Sequence, residues 1–444
     1  MSRISVVMPI YNAAEFLRES IDDIRKQTFT DWELICVNDG STDECGQILE
    51  EYANADSRIK VFSQVNQGGA VARNLGLTKS SSDYILFLDA DDHFEEDMFE
   101  ILINELDENP TDVLIFAGDC FDYSTGKVRN GTWLLDEKYL SDEYMSGNYI
   151  KKSKKSEILY RITNTTVWNK VFNRYFLINN NIMSQGANAA DCLYMVMLAL
   201  AMADRISVCN KTLIHYRENV PTGQIANVCR NPLGSLEAAI AIRERFQKEG
   251  LFPEYEKAYI NYVVKFIMNR LKRMGIGIAQ QILYTELYMN GFEDIGIFPS
   301  NLEILEDENL RAECHKLLYT DYIDYIYEFN NYLKKMINPS GAIYYLPENL
   351  PDNVKIGVYG AGNVGKSYFA YLLNSNKHTL IGWFDRKYAE CGYPVENPTK
   401  LVDRDFDIVI IAIEMATAAN SIKNDLIKLG VEESKIFWAE PKAF

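Results

Sequence analysis

Three aspartates, Asp89, Asp91 and Asp92, stand together immediately after the apolar run Tyr84–Leu88. Carboxylates crowded at the end of a buried strand repel one another unless a cation or hydrogen-bond donors compensate. A hard divalent ion such as Mg²⁺ or Mn²⁺ suits one or two such carboxylates together with phosphate oxygens, and it would neutralise charge on a departing diphosphate. The cluster alone is explained equally well as a cap for a helix beginning near Glu95, and we expect Asp92 to be such a cap.

Strands and helices are predicted to alternate through residues 1–120. Apolar runs such as Ile4–Met8 and Trp32–Val37 alternate with segments of helical spacing such as Ala13–Gln27. This alternation predicts a largely parallel sheet covered on both faces, in which ligands bind beyond the carboxyl ends of the strands. Polar clusters follow the predicted strands at Tyr11-Asn12, Asn38-Asp39 and Asp89–Asp92.

The chain has 444 residues, more than one hydrophobic core usually supports, so we expect several domains. We predict an α/β catalytic domain over residues 1–225, a helical region over 226–340 and a small C-terminal Rossmann-like α/β domain over 341–444. The segment Asn338–Gly341 is interpreted as a linker.

The net charge and the cysteine pattern exclude some classes of function and of binding site. A formal net charge of −18 disfavours sequence-independent binding of nucleic acid. The eight cysteines form no C-x-x-C pair, which argues against a structural zinc site or a disulfide framework. We find neither a signal peptide nor an apolar run of membrane-spanning length, and we predict a cytoplasmic protein. The basic cluster Lys151–Lys155 leaves peripheral contact with the inner face of a membrane open.

Four polar motifs occur in a fixed order. They are Val7–Asn12, Val37–Asp43, Asn66–Gly76 and Asp89–Asp91. In this order and spacing they resemble the family 2 glycosyltransferases, which have the GT-A fold. The resemblance is strong over residues 1–120 and looser over 160–217. The chain departs from the family pattern at Asn38, where members often carry a second aspartate.

The resemblance assigns a role to each matching position. The nucleotide pocket would be lined by Pro9, Tyr11, Asn12 and Glu15. Asp39 would accept the imide N–H of the base, which suits uracil, and Gly68 would let the backbone approach the donor. Arg73 would lie near the diphosphate or sugar, Asp89 would contact the ribose or sugar, and Asp91 would bind the metal. Taken alone, Tyr11-Asn12 is more simply a strand-end turn, and Arg73 a surface ion pair.

An inverting transferase needs a base that accepts the proton of the acceptor hydroxyl. The family often uses the Asp of a Glu-Asp pair that opens a helix, and Asp191 matches it although Ala190 replaces the Glu. The alternative for Asp191 is a carboxylate stabilised by the helix dipole. His215 would complete the metal shell or contact the diphosphate, unless it is structural. Trp168 would pack under a sugar, unless it belongs to the core.

A glycine-rich turn, Gly360-x-Gly362-x-x-Gly365, follows the apolar run Val354–Tyr359, and Asp385 lies twenty residues beyond its last glycine. This is the dinucleotide-binding arrangement, which makes NAD(P) or another nucleotide a candidate ligand. No dehydrogenase-like catalytic residues follow. The segment resembles small Rossmann-like domains appended to sugar-processing enzymes, and we favour a structural or nucleotide-sensing module over an active oxidoreductase.

The resemblance implies an inverting transfer of a sugar from a nucleoside diphosphate donor, most simply a UDP-sugar, to a hydroxyl acceptor. The acceptor would be a saccharide, a lipid-linked molecule or a protein, in the assembly of surface polysaccharide or glycoconjugate. The helical region would support the acceptor side or a homo-oligomer contact. Two alternatives stay open: a degenerate transferase that binds or senses a nucleotide-sugar or NAD, favoured by Ala190 and Asn38, and a bifunctional enzyme with redox chemistry in its C-terminal domain.

Overall fold

The chain forms two compact units in the computed structural model. The first comprises Met1–Val220, Arg230–Arg270 and Met289–His315, and the second comprises Pro221–Cys229, Leu271–Tyr288 and Lys316–Phe444. The structure describes residues 2–123, 125–185, 191–218, 220, 229, 231–274, 278–320, 344, 346–347, 350–351, 353–373, 377–388, 395–402 and 404–442. The predicted boundaries at 225 and 340 fall outside these residues and stay predictions, as does the linker Asn338–Gly341.

One large sheet organises the first unit. Its strands are β1 (Ile4–Ile10), β2 (Trp32–Asp39), β3 (Ile59–Gln64), β4 (Tyr84–Phe87), β5 (His93–Phe94), β6 (Val113–Asp122), β7 (Val128–Asn130), β8 (Met145–Ser146), β9 (Tyr149–Ile150), β10 (Lys170–Asn173) and β11 (Ile206–Glu218). They are ordered β3-β2-β1-β4-β10-β6-β11-β9-β8, with β5 paired to β11 and β7 to β6.

The strand directions make the sheet mixed. β1 pairs in parallel with β2 and β4, and β2 pairs in parallel with β3. β10 runs antiparallel to both β4 and β6, and β11 runs parallel to β6. The largely parallel sheet predicted from the first 120 residues is therefore correct for β1 to β4. It does not extend across the sheet, because β10 is inserted from a distant part of the chain.

Helices cover this sheet. They are α1 (Ala14–Arg25), α2 (Cys45–Ala55), α3 (Gly69–Lys79), α4 (Met98–Glu108), α5 (Lys155–Ile158), α6 (Arg174–Asn179) and α7 (Asp191–Met202). In α1 the apolar residues recur at helical spacing, and Leu17, Ile21 and Ile24 are fully buried in the core. Helix α3 lies against β1 because Gly76 has no side chain: a Cβ there would come within 2.3 Å of Val7 Cγ1.

Further helices follow β11. They are α8 (Gly234–Lys248), α9 (Phe252–Arg273), α10 (Ile278–Glu286), α11 (Phe292–Asp294) and α12 (Glu308–Tyr319). The long helix α9 is amphipathic, and Tyr259, Val263 and Leu271 on its apolar face are buried. None of the helices in the described ranges combines the length and the apolarity that crossing a bilayer requires.

The second unit contains a parallel sheet of five strands. The strands are β12 (Lys355–Tyr359), β13 (Thr379–Phe384), β14 (Val395–Glu396), β15 (Ile408–Ile411) and β16 (Ile436–Phe437), in the order β14-β13-β12-β15-β16. Helices α13 (Asn363–Leu373) and α14 (Ala416–Lys428) follow β12 and β15. Two apolar clusters, built around Val358 and Phe384, form the core of this α/β unit.

Candidate functional site

The polar motifs meet at one edge of the large sheet. β1, β2 and β4 are mutually parallel, and β6 and β11 share their direction because each is related to β4 through the antiparallel β10. The carboxyl ends of all five strands therefore lie at the same edge, where ligands bind in α/β sheets. This edge carries the candidate site.

The turn after β1 is fixed by Asn12. Its backbone has φ of +49°, and its Oδ1 accepts a hydrogen bond from Thr42 N at 2.8 Å. In return, Asn12 N donates to Ser41 Oγ at 3.1 Å, so the ends of β1 and β2 are joined. Tyr11 is 48% exposed beside this turn, and Glu15 accepts a hydrogen bond from Tyr123 Oη at 2.7 Å. Asn12 thus has the strand-end role, while Tyr11 is open to a ligand.

Pro9 continues β1 and does not end it. It pairs with Val37 in the parallel ladder, and β1 extends to Ile10. The strand predicted to stop at Met8 is therefore two residues longer, which brings Pro9 to the edge where the candidate site lies.

Asp39 organises the turn that precedes α3. Its Oδ1 accepts hydrogen bonds from Gln67 N at 2.9 Å and Gln64 Nε2 at 2.8 Å, and its Oδ2 accepts from Gly68 N at 2.8 Å. Gly68 has φ of +89° and ψ of 160°, a region that is open almost only to glycine. The buried Asp39 carboxylate therefore holds the glycine turn in place, and any contact with a base would share oxygens already bound to the backbone.

Arg73 is buried and pairs with Asp89. Its Nη2 donates to Asp89 Oδ1 at 2.7 Å, with side-chain exposures of 5% for Arg73 and 27% for Asp89. The surface ion pair expected for Arg73 taken alone is therefore wrong, because α3 buries the guanidinium against the end of β4. Within this pair, the Arg73 guanidinium places a positive charge among the carboxylates of the acidic site.

Asp91 and Asp92 occupy different environments from Asp89. Burial, together with the neighbouring Asp89 carboxylate, raises the pKa of Asp91 to about 6. Burial and the carboxylates of Asp91 and Asp89 raise the pKa of Asp92 well above its ordinary value. Asp92 Oδ1 accepts from Arg217 N at 2.9 Å, while its Oδ2 has no hydrogen-bond partner within the described part of the chain.

The expectation that Asp92 caps a helix is wrong. Helix α4 begins at Met98 and its N-cap residue is Asp97. The two residues His93 and Phe94 between the acidic cluster and the helix form β5, which pairs with β11. That pairing turns Asp92 inward, toward the backbone of β11.

Arg217 is a site residue that the sequence analysis did not identify. Its Nε donates to the backbone oxygen of Asp91 at 2.7 Å, and its Nη2 lies 2.9 Å from Glu19 Oε2. The guanidinium also lies over the rings of Phe16 and Phe121, at 4.6 Å and 4.8 Å from their centroids. The available signal was its place in His215-Tyr216-Arg217 at the end of a strand, where only the histidine was considered.

Both ring nitrogens of His215 are engaged. Nδ1 lies 2.6 Å from Asp119 Oδ1, and Nε2 lies 2.9 Å from Glu95 Oε1. Burial lowers the pKa of His215, but the hydrogen bonds to Asp119 and Glu95 outweigh it and raise the pKa above its usual value. Coordination of a metal through Nε2 would require Glu95 to release that nitrogen.

The residues predicted for the acceptor side are described in part. Asp191 begins α7, but its side chain lies outside the described part of the chain, and Ala190 lies outside it altogether. Trp168 is 4% exposed and stacks on Tyr216, with ring centroids 5.1 Å apart and an interplanar angle of 10°. Of the two interpretations of Trp168, the core residue fits the structure.

The carboxylates of Asp89 and Asp91 are the candidate ligands for a divalent cation at this edge. Burial raises the pKa of Asp91, and the neighbouring Asp89 carboxylate raises it further. Mg²⁺ usually takes one or two protein carboxylates and completes its shell with water and phosphate oxygens. Within the described ranges no three His, Cys, Asp or Glu side chains surround a common position.

The glycine turn of the second unit is explained largely by packing. A Cβ on Gly365 would come within 1.7 Å of the Gly360 carbonyl oxygen, and Gly360 itself has φ of +119°. Of the three glycines in this turn, Gly362 is the one that faces open space. The Asp385 carboxylate accepts hydrogen bonds from Ala361 N at 2.7 Å and Lys387 N at 2.8 Å, so it holds the turn from within the protein.

Comparisons with known proteins show which families the chain resembles. Residues 5–177 match glycosyl transferase family 2, and residues 352–437 match the family described as C2185-like, N-terminal. The chain is 30% identical to the uncharacterized glycosyltransferase EpsJ of Bacillus subtilis over 49% of this chain, and 41% identical to glycosyltransferase GlyG of Streptococcus pneumoniae over 27% of it. It spans only 61% of the length of EpsJ and 40% of GlyG.

A solved structure gives the fold. The crystal structure of Staphylococcus aureus TarS 1–349 in complex with UDP-GlcNAc aligns with a TM-score of 0.56 at 19% identity. The alignment covers 71% of this chain and 87% of TarS 1–349. Together with the family match, this likeness identifies the large sheet and its helices as a GT-A fold. The predicted α/β fold class is confirmed, including the C-terminal sheet.

Proposed function

Because residues 5–177 match glycosyl transferase family 2, we propose that the chain transfers a sugar from a nucleoside diphosphate donor to a hydroxyl acceptor, with inversion at the anomeric carbon. One observation carries the proposal: three features lie at the same edge of the sheet. They are the glycine turn that Asp39 holds, the Arg73–Asp89 ion pair and the Asp91 carboxylate. This edge combines groups for a nucleotide, a diphosphate and a cation.

The donor is a UDP-sugar in this proposal. Pro9, the exposed Tyr11, Asn12 and Glu15 would line the nucleotide pocket. Asp39 would share an oxygen with the imide of uracil, and Gly68 would admit the backbone close to the donor. The crystal structure of TarS with UDP-GlcNAc supports a nucleotide-sugar in this fold.

Arg73 and Asp89 would orient the diphosphate and the sugar. When bound, Mg²⁺ or Mn²⁺ held by Asp91 would neutralise the negative charge on the leaving diphosphate. Arg73 lies within 2.7 Å of Asp89 and so provides a fixed positive charge in the same place. His215 would join the metal only after its Nε2 leaves Glu95.

Asp191 is the proposed base. Its carboxylate would accept the proton of the acceptor hydroxyl as the new bond from that oxygen to the anomeric carbon forms and the bond from the anomeric carbon to the diphosphate oxygen breaks. Saccharide, lipid-linked and protein acceptors all supply such a hydroxyl. We place the reaction in surface polysaccharide or glycoconjugate assembly, in the cytoplasm or at the inner face of its membrane.

A nucleotide-binding or sensing role of the second unit is a second candidate. Gly362 favours it, because this glycine faces open space at the start of α13 while Gly360 and Gly365 are required by packing. Calorimetry with NAD and UDP-sugars tests binding, and absorbance at 340 nm with NAD(P)H tests redox chemistry. Binding without a change at 340 nm would support the sensing role.

The experiment for the main proposal measures UDP affinity with and without Mn²⁺ by calorimetry, together with UDP release from UDP-glucose, UDP-galactose and UDP-GlcNAc. In the wild-type chain Mn²⁺ should tighten UDP binding at least about tenfold. Asp91→Asn should abolish that gain and slow UDP release at least about a hundredfold. Asp97→Asn is the matched control, since this exposed aspartate precedes α4 without a side-chain capping bond. Failure of the wild type to bind UDP, or an unchanged response in Asp91→Asn, would contradict the proposal.

A further inference from the structure

The turn Gly131–Leu134 is held tightly against the sheet. A Cβ on Gly131 would come within 2.1 Å of the Gly118 carbonyl oxygen in β6, so only glycine permits this approach. Leu134 N donates to Gly131 O at 2.7 Å and closes the turn. The Leu134 carbonyl in turn accepts hydrogen bonds from Thr163 Oγ1 at 2.6 Å and Asn169 Nδ2 at 3.0 Å. The turn is therefore a rigid part of the fold.

Trp133 is the side chain that this turn presents at the surface. It is 39% exposed, although Gly131 and Leu134 on either side are buried. Its ring meets Trp168 and Tyr216 at centroid distances of 5.8 Å and 6.0 Å, with interplanar angles of 90° and 82°. Edge-to-face contacts of this kind fix the orientation of an aromatic ring. An exposed indole is thus held in one orientation by two aromatic neighbours.

This aromatic cluster adjoins the acidic site. Tyr216 immediately precedes Arg217, whose backbone N–H and Nε bind Asp92 and Asp91. Burial raises the pKa of Tyr216, and the carboxylates of Asp92, Asp91 and Asp89 raise it further. Tyr216 is therefore close enough to the proposed metal ligands to interact with their charges. Trp133 packs directly on Tyr216.

The cluster lies on the opposite side of the acidic site from the nucleotide residues. In the sheet order, β1, β2 and β3 stand to one side of β4; Asn12 lies in the turn after β1, and Asp39 ends β2. On the other side of β4 stand β6, which contacts the turn at Gly131 through Gly118, and β11, which contacts Trp133 through Tyr216. A molecule that covers the Trp133 ring would thus approach Asp91 from the side that the donor leaves free.

We propose that Trp133 is the stacking platform for a pyranose ring of a saccharide acceptor, an inference that rests on the proposed function and specifies its acceptor. The apolar C–H face of a pyranose packs on an indole ring, while its hydroxyls stay available for hydrogen bonds. The acceptor is therefore a saccharide that presents the apolar face of a pyranose ring.

The experiment measures saccharide binding by the full chain with UDP and Mn²⁺ present. The probes are tetrasaccharides of glucose, galactose, mannose and N-acetylglucosamine, observed by saturation-transfer NMR and titrated to a Kd. Trp133→Ala should weaken the tightest of these complexes about tenfold or more, and Trp133→Phe should weaken it only about two- to threefold. UDP affinity should be unchanged in both variants. Tyr175→Ala removes an aromatic ring that is 55% exposed on α6 and is the matched control.

Each outcome has a defined meaning. Loss of saccharide binding in Trp133→Ala, with UDP affinity and melting temperature unchanged, supports the platform. If no tetrasaccharide binds the wild type, or if Trp133→Ala binds as tightly as the wild type, Trp133 is not an acceptor platform. Such a result does not contradict the proposed donor site. If the wild type binds saccharide through Trp133 but does not bind UDP, the proposed donor function fails and the platform remains.

Discussion

Arg73 Nη2 lies 2.7 Å from Asp89 Oδ1, and this ion pair ties helix α3 to the end of β4. The guanidinium is almost completely buried, whereas Asp89 retains some contact with solvent. Because Asp91 stands two residues further on, Arg73, together with Arg217, offsets part of the negative charge of the acidic cluster. The same ion pair therefore stabilises the end of β4 and reduces the negative charge of the site.

Replacing Arg73 by alanine should lower the free energy of unfolding by about 2 kcal/mol, because it leaves the Asp89 carboxylate without its buried partner. Urea unfolding at pH 7 measures this change. Arg73→Lys keeps the charge and should recover part of the loss, though not the fork geometry of the guanidinium. In a double-mutant cycle with Asp89→Asn, additive losses would contradict a direct interaction between the two side chains.

Asp39→Asn should loosen the turn before α3. Asparagine has a single acceptor oxygen, so the N–H groups of Gln67 and Gly68 cannot both keep their present partners. We expect a loss of about 1–2 kcal/mol in stability, faster hydrogen exchange at these two amides and weaker UDP binding. Asn38→Asp is the matched control, since its Oδ1 accepts from Ser41 N and aspartate retains that acceptor. Equal exchange rates in the two variants would argue against this role of Asp39.

The part of the site formed by the acidic cluster after β4 and the glycine turn before α3 was predictable, because it follows local sequence patterns. The apolar run before Asp89 and the glycine turn at Gly68 both mark the end or the beginning of an element, and the structure has β4 and α3 at these places. The order of the motifs along the chain then determined which strand ends carry them. These relationships involve residues that are near one another in sequence or on paired parallel strands.

The part of the site formed by Asp92, His215 and Arg217 depends on contacts between residues that are distant in sequence. β10 enters the sheet between β4 and β6, and β5 pairs with β11 about 120 residues later, so neither pairing has a local signal. Those pairings bury Asp92, join His215 to Glu95 and bring Arg217 to the acidic cluster. A lone arginine in a strand-like segment gives no indication of such a position.

Gly68→Ala should destabilise the chain by about 1–3 kcal/mol, because φ of +89° with ψ of 160° is a conformation that residues with a Cβ rarely adopt. The substitution should also weaken UDP binding, since the turn leads directly into α3. Gly46→Ala in α2 is the matched control: nothing lies closer than 3.9 Å to its added Cβ, and alanine favours the helix. Equal unfolding free energies for the two variants, measured in urea, would contradict the strained conformation at Gly68.

Glu33 provides a prediction at the opposite edge of the sheet, near the start of β2. Burial raises the pKa of this carboxyl, but hydrogen bonds from Lys60, Ser5 and Ser81 outweigh burial and lower the pKa to about 2. The contacts are 2.5 Å to Lys60 Nζ, 2.6 Å to Ser5 Oγ and 2.7 Å to Ser81 N. Since the folded chain holds the ionised form more strongly than the unfolded chain does, Glu33 contributes stability above pH 4.5, and this contribution is lost as the pH falls toward 2.

Glu33→Gln should therefore lower the free energy of unfolding by about 3 kcal/mol at pH 7, and the difference from the wild type should shrink steadily between pH 4.5 and pH 2. Urea unfolding at several pH values measures both quantities. The exposed Glu50 of α2 gives the control, because Glu50→Gln removes a carboxylate without such contacts and should change stability by less than about 0.5 kcal/mol. UDP binding should persist in both variants, since Glu33 lies away from the strand ends that carry the site. A Glu33→Gln deficit that stays constant from pH 7 to pH 3 would show that lost packing, and not ionisation, accounts for the effect.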